Sequence, residues 1–335
     1  MSLVNAEKCD GEQVGIDRTQ IAVIIPTCNA EKNWDRLIFG LHLQKLLPHQ
    51  ITIVDSSSED RTCELALREG FQLIRIDRAN FNHGGTRQMA LHHVHWASLV
   101  VYMTQDAVLA NEEAIDQLIA PFLDPKIGLS YGRQLPRPGA GPFEAHARLF
   151  NYPGVSQVRT FESRRQFGIK AAFSSNSFAA YRVEALQSVG GFPSDVIIAE
   201  DSVVAAKMLM SGWKTVYQAD AQVYHSHSYS PIEEFRRYFD IGVCHHRESW
   251  MRETFGKADG EGLRFLRSEI SYLWPNRFYL LPEVFVRSTA KILGYKLGLM
   301  EEKLPSSLSR KLSFFPDFWK DPVRSKSSMR RHASS

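Results

Sequence analysis

Three short apolar runs, each broken abruptly by polar residues, set the tightest limit on what this chain can fold into. Ile21-Ala22-Val23-Ile24-Ile25 stops at Pro26-Thr27-Cys28-Asn29-Ala30. His49-Gln50-Ile51-Thr52-Ile53-Val54 ends in Asp55, and Leu99-Val100-Val101-Tyr102-Met103 gives way to Thr104-Gln105-Asp106. β-branched and aromatic residues in such runs favour buried strands. Between them lie helical spacings: Leu37 and Leu41 within 33–47, then Arg61 to Glu69 closed by Gly70. Gln72–Ile76 reads as a further strand, and a helix is expected from Thr86 to about Ala97. Strands alternating with helices at this spacing predict βαβ units and a doubly wound, mostly parallel, Rossmann-like sheet flanked by helices. Ligands bind such sheets at the carboxyl ends of the strands. That is where Asp55 and Asp106 fall.

Two nucleotide-binding classes are excluded at once. The loop after the first strand lacks G-x-G-x-x-G, and the chain holds no G-x-x-x-x-G-K-[ST]. A net charge of +3 is too mild for a nucleic-acid binder. The four cysteines are scattered, which predicts neither a disulfide framework nor a cysteine zinc site and fits a reducing, cytoplasmic setting. The polar start of the chain is not a secretory signal, and no stretch approaches the roughly 20 apolar residues that span a bilayer.

The chain is expected to divide into a loose arm at 1–19, an α/β domain at 20–230, a helical extension at 231–319 and a disordered basic tail at 320–335. Residues 145–165 read as a polar helix interrupted by Pro153. Helices are expected over 231–255, 259–274 and 282–303. The extension interleaves Arg236, Arg237, His245, His246 and Arg247 with Tyr238, Phe239 and Trp250, and Phe314, Phe315 and Trp319 look exposed. Such a surface suits an anionic membrane. An ordinary amphipathic packing face reads the same way.

Four motifs in order carry a family resemblance. Ile24-Ile25-Pro26-Thr27-Cys28-Asn29, Ile53-Val54-Asp55-Ser56-Ser57-Ser58-Glu59-Asp60, Thr104-Gln105-Asp106 and Ala199-Glu200-Asp201 resemble family 2 glycosyltransferases of the GT-A fold. Asn80-Phe81-Asn82-His83-Gly84-Gly85-Thr86-Arg87 resembles the rhamnosyltransferase branch. The resemblance covers about 20–230. It implies that Pro26, Thr27, Asn29, Asp55, Ser57, Gln105 and Asp106 bind the donor, with Arg87 near its phosphates. Asp106 would hold Mg²⁺ or Mn²⁺, and Asp201 would be the general base of an inverting transfer, with Glu200 beside it on the acceptor side and open as the base instead. The implied donor is dTDP-L-rhamnose. The implied acceptor is a cell-surface saccharide or lipid-linked oligosaccharide of O-antigen or capsule assembly, at the cytoplasmic face of the inner membrane. A UDP-hexose donor such as UDP-galactose or UDP-GlcNAc, or a nucleotide-sugar-binding adaptor without turnover, are the rival readings.

The sequence departs from the family's D-x-D motif, because Thr104 replaces its first acid. One carboxylate fewer calls for other ligands. His225 and His227 share a face if their segment is extended, and imidazole suits Mn²⁺ better than Mg²⁺. Gly84-Gly85 before a helix would either form a tight turn or open a phosphate-binding helix end.

Overall fold

Strand β1 (Ile21–Thr27) is buried along nearly its whole length and forms the centre of the sheet. The structure, a computed structural model, describes residues 15–257 and 260–320. β2 (Ile51–Ser56) lies parallel on one side of β1, and β4 (Leu99–Met103) lies parallel on the other. β3 (Gln72–Ile76) adds to β2, again parallel. Strands buried on both faces need near-continuous apolar sequence. These runs supply it, and the parallel half of the sheet matches the expectation.

Beyond β4 the sheet becomes mixed. β8 (Phe178–Arg182) runs antiparallel to β4 and to β6 (Ile127–Leu135). β9 (Lys214–Tyr224) lies parallel to β6, and its other edge takes β5 (Val108–Leu109) and β7 (Gln157–Arg159), both antiparallel. The sheet order is β3-β2-β1-β4-β8-β6-β9-β5. Helices cover both faces. Trp34–Leu43 and Ala114–Ile119 pack with Ile21, Val23 and Ile25 on one side, and residues around Ala90, Leu91, Leu186 and Met208 pack with Ala22, Ile24 and Tyr102 on the other.

Several expectations change. Residues 145–165 are not one helix: a helix ends at Asn151, β7 follows, and a single turn spans Arg164–Phe167. Pro153 and Gly154 break the helix, and Val158 pairs with Val216 of β9. Residues 15–19 of the expected arm pack down, with Arg18 donating to the Gln44 carbonyl at 2.6 Å. Phe318 and Trp319 are buried, sharing an apolar cluster with Phe239, Val243 and Met251. Arg247 is buried too, in an ion pair with Glu301 at 2.6 Å. The large exposed apolar side chains of the extension include Trp274, Phe278, Tyr279, Phe285 and Val286. The extension is no separate body, since its cluster includes Ile197, Val203 and Leu209 of the α/β part. The tail expected from 320 lies outside the described residues, apart from Lys320, which pairs with Asp317.

Helices Pro231–Arg247 and Leu281–Gly298 cross at backbone contact. A Cβ added at Gly298 would stand 2.0 Å from the Phe239 carbonyl, and one at Gly294 would stand 2.2 Å from that of Phe235. Neither main chain can retreat without moving its helix. Gly298→Ala should therefore lower stability by about 1–3 kcal/mol through overpacking, seen as a lower thermal midpoint. Gly262→Ala, on an open helix face, should leave the midpoint level or raise it.

Candidate active site

The carboxyl ends of β2 and β3 open onto a cleft of about 820 Å³, lined by Asp55, Ser57, Ser58, Asp60, Arg75, Asp77 and Thr86 among others. Asp55 is buried at its rim. Its Oδ1 accepts the Ser58 N–H at 2.9 Å, and its Oδ2 accepts the hydroxyls of Ser58 and Thr27. The loops after β1 and β2 are laced together. Asn29 N–H donates to Ser58 Oγ, and Glu59 N–H donates back to Asn29 Oδ1, both at 2.8 Å. Asn29 and Ser57 take left-handed backbone, φ 51° and 56°, a conformation that costs most residues free energy. Pro26, Thr27 and Asn29 therefore shape the cleft from behind, while Asp55 and Ser57 face it.

Gln105 locks the β4 end to the same loop. Its Oε1 accepts the Cys28 N–H at 2.7 Å, and its Nε2 donates to the Cys28 carbonyl at 3.1 Å. With both ends of its amide engaged, it positions the next residue, Asp106. Two residues further on, Val108 pairs with Tyr224 of β9. That register delivers the following histidines to Asp106. His225 Nε2 lies 3.4 Å from Asp106 Oδ1, and His227 Nε2 lies 3.6 Å from Oδ2. The three candidate ligand atoms all fall within 4.8 Å of one another.

The hydrogen bonds behind His225 decide what this triad can hold. His225 Nδ1 lies 2.9 Å from Gln134 Oε1, and the Gln134 amide nitrogen donates to Ser175 Oγ at 2.8 Å. An amide oxygen only accepts. Nδ1 therefore carries the proton, and the lone pair of Nε2 faces Asp106. Burial pushes the His225 pKa down and takes that of His227 down to about 4, so both rings are neutral at pH 7. Burial alone would raise Asp106, but the polar groups around it, the Thr104 hydroxyl among them, hold it well below the usual carboxylate range. Two imidazole lone pairs and a carboxylate thus converge with no proton among them. An oxygen–nitrogen set of this kind fits a divalent cation, and Mn²⁺ better than Mg²⁺. The residues put forward to complete the metal site are brought together.

The chain turns sharply into the helix Glu200–Met210, with Ala199 left-handed at φ 65°. Glu200 and Asp201 part there. Glu200 Oε1 accepts from Arg87 at 2.8 Å and from the Asn176 amide at 3.0 Å, with both charged side chains buried. Asp201 is half-buried and accepts from the N–H groups of Asn176 and Ser202, at 3.0 and 2.7 Å, and from the Ser202 hydroxyl at 3.4 Å. Burial, then the neighbouring Glu200 charge, pushes its pKa up to about 7. A carboxylate tuned this way can exchange a proton near neutral pH.

Arg87 is thus placed otherwise than expected. It is 4% exposed and bound to Glu200 and to the His83 carbonyl, so it braces two helices rather than facing the cleft. The Gly84-Gly85 pair has a similar explanation. Asn82 caps the Gly85 N–H at 2.7 Å, and a Cβ at Gly84 would stand 1.9 Å from the Pro193 carbonyl. The glycine lets the helix meet the loop leading to Ala199. Gln134 and Asn176, which orient His225 and Glu200, belong to no motif. Their only signal in sequence is a lone amide in or beside an apolar strand.

With this geometry in hand, the kinship of the chain is informative. The glycosyl transferase family 2 model matches residues 22–190. The O-antigen chain rhamnosyltransferase RfbN of Salmonella typhimurium is 43% identical over 301 residues, covering 90% of this chain and 96% of that protein. The O-antigen chain rhamnosyltransferase WbaN of Salmonella anatum is 41% identical over 298 residues, 89% and 95% of the two chains. Among solved structures, the mannosyltransferase PcManGT of Pyrobaculum calidifontis, in complex with GDP-Man and Mn²⁺, is similar with a TM-score of 0.53 at 20% identity, covering 95% and 90% of the two chains. S. aureus TarS 1–349, in complex with UDP, gives 0.50 at 17% identity, covering 85% and 91%. These two likenesses show the fold alone.

The role of Gln134 is open to direct measurement. Gln134→Leu frees the Nδ1–H of His225 to turn the ring, and loss of such an outer partner typically weakens a metal site about 10–100-fold. Calorimetric titration with Mn²⁺ should show that loss. Unchanged affinity would take His225 out of the ligand set.

Proposed function

The chain belongs to glycosyltransferase family 2, and within it we propose that it is an inverting rhamnosyltransferase that extends an O-antigen chain. The observation that carries the reading is the near full-length identity of 43% to an O-antigen chain rhamnosyltransferase. The site agrees with it chemically. The donor is dTDP-L-rhamnose, with its nucleoside in the cleft beside Asp55 and Ser57 and its diphosphate toward Asp106. The acceptor is a saccharide, carried on a lipid.

Asp201 is the general base. Its ionised carboxylate takes the proton of an acceptor hydroxyl while that oxygen attacks the anomeric carbon of the sugar. The bond from that carbon to the diphosphate oxygen breaks in the same displacement, so the configuration inverts. Glu200 cannot share the task while Arg87 and Asn176 hold it. Asp106, His225 and His227 would hold Mg²⁺ or Mn²⁺, which when bound supplies positive charge against the departing diphosphate. Gln105 keeps Asp106 in register for it.

The setting we propose is the cytoplasmic face of the membrane that carries the lipid-linked acceptor. Among the described residues no helix is long and apolar enough to cross a membrane. The exposed aromatic group Trp274, Phe278, Tyr279 and Phe285 would rest on anionic lipid beside Arg277, an association that sedimentation with anionic vesicles reads.

The enzyme assignment makes a two-part prediction. Asp201→Asn should keep donor binding and lose about 10²–10⁴-fold in turnover, the usual contribution of a positioned base. Thermal shift should respond to dTDP-rhamnose and not to UDP-galactose or UDP-GlcNAc. Full activity in Asp201→Asn would remove the base, and a UDP-sugar response would replace the donor.

A further inference from the structure

Two arginines near Asp106, His225 and His227 make no ion pair among the described residues. Arg148 stands on the helix Pro142–Asn151 and Arg237 on the helix Pro231–Arg247, both half-buried. The Arg237 guanidinium lies 5.7 Å from the Tyr229 ring centre, and that ring lies 5.4 Å from the ring of His227. Arg148 lies 5.9 Å from the ring of Tyr152. Each is within electrostatic reach of the other and of both His225 and His227. Among the described residues neither makes an ion pair, and Nε of Arg148 is buried without a hydrogen-bond partner.

Among the described residues, three of the four buried arginines are paired with acids, and the fourth, Arg159, donates instead to the Lys170 carbonyl and to Gln157. Arg87 is paired with Glu200, Arg247 with Glu301, and Arg287 with Glu283 and Glu234. The carboxylates near Arg148 and Arg237 have other contacts, although Asp240 keeps Oδ1 without a hydrogen-bond partner. Glu144 accepts from Arg137 and Ser226, Asp240 accepts the N–H groups of Phe314 and Phe315, and Asp106 faces the histidines. Two like charges held together and partly desolvated are unfavourable unless an anion joins them. Guanidinium groups bind phosphate oxygens through paired, charge-assisted hydrogen bonds.

We propose that Arg148 and Arg237 form a diphosphate-binding pair on the side of the metal triad flanked by His227 and Tyr229. The proposal rests on the glycosyltransferase reading, which brings the departing diphosphate of the donor to this cleft; an acceptor joined to its lipid through phosphate would bring a second anion of the same chemistry. It replaces Arg87 as the source of positive charge for phosphate oxygens.

Calorimetric titration of the full chain with inorganic pyrophosphate, in chelator and without added metal, tests it. Wild type should bind saturably. Arg148→Gln and Arg237→Gln should each weaken binding by about 10–100-fold, the effect of losing a charged hydrogen-bond partner, and the double variant should lose it. Arg148→Lys should recover part of the affinity. Because the arginines are unpaired, the thermal midpoints of the Gln variants should not fall. Absence of binding in wild type, or unchanged affinity in the double variant, overturns the proposal. A repeat with saturating dTDP separates the sources. Competition assigns the pair to the donor diphosphate, and independent binding assigns it to the acceptor. Failure of dTDP to bind at all would count against the enzyme reading, not against the arginine pair.

Discussion

The buried ion pair between Arg87 and Glu200 is the contact on which the site depends. It joins residues 113 positions apart and ties the helix His83–Leu91 to the helix Glu200–Met210 at 2.8 Å. Neither side chain can find water when its partner is removed, so breaking such a pair costs about 3–5 kcal/mol. Its consequence for chemistry is a division of labour between adjacent acids. Glu200 is held in its ionised form by the Arg87 guanidinium, against the upward push of burial. Asp201, one residue on, feels that negative charge without sharing its compensation, and burial adds to the effect. The left-handed Ala199 is the backbone cost of aiming the two side chains apart.

The metal triad follows from sheet topology rather than from a local motif. β4 ends at Met103, and Gln105 fastens the next turn to Cys28. β5 then pairs with the far end of β9, so Asp106 and His225, 119 positions apart in the chain, become neighbours through a register of two residues. A GT-A fold with one acid of D-x-D missing can thus recruit imidazole from the end of its longest strand. The two edges of the cleft are built on opposite logic. Asp55, Ser58 and Thr27 saturate one another, whereas Asp106, His225 and His227 bring candidate ligand atoms together that a cation would satisfy.

Much of this was legible in the chain before folding. β1, β2 and β4 are apolar throughout because both faces are covered, and such runs announce themselves. Their terminal acids, Asp55 and Asp106, were readable as strand-end residues, and the missing acid at Thr104 directed attention to His225 and His227. The partner of Arg87 was not legible, because nothing local distinguishes an arginine that faces phosphate from one that faces a glutamate 113 residues away. Nor was the turn to antiparallel pairing at β8, whose short run Phe178–Arg182 carries no sign of direction. Phe314, Phe315 and Trp319 looked exposed near the end of a basic segment; Phe314 and Phe315 are half-buried, and Trp319 is buried because the helix Pro231–Arg247 offers Phe239 and Val243 to cover it. Arg148 and Arg237 gained meaning only from what is absent around them, which a sequence cannot display.

The central claim is that Asp201 carries the proton because Glu200 is occupied by Arg87. The pH dependence of kcat in wild type and in Glu200→Gln tests this most directly. Only the carboxylate form of Asp201 can accept a proton, so wild-type kcat should rise with pH through about 7. Removing the charge at 200 removes one of the two causes of that high value. The folded fraction of Glu200→Gln should therefore stay active, with its acid limb moved to lower pH. A folded Glu200→Gln with no turnover at any pH would contradict the account and make Glu200 the base.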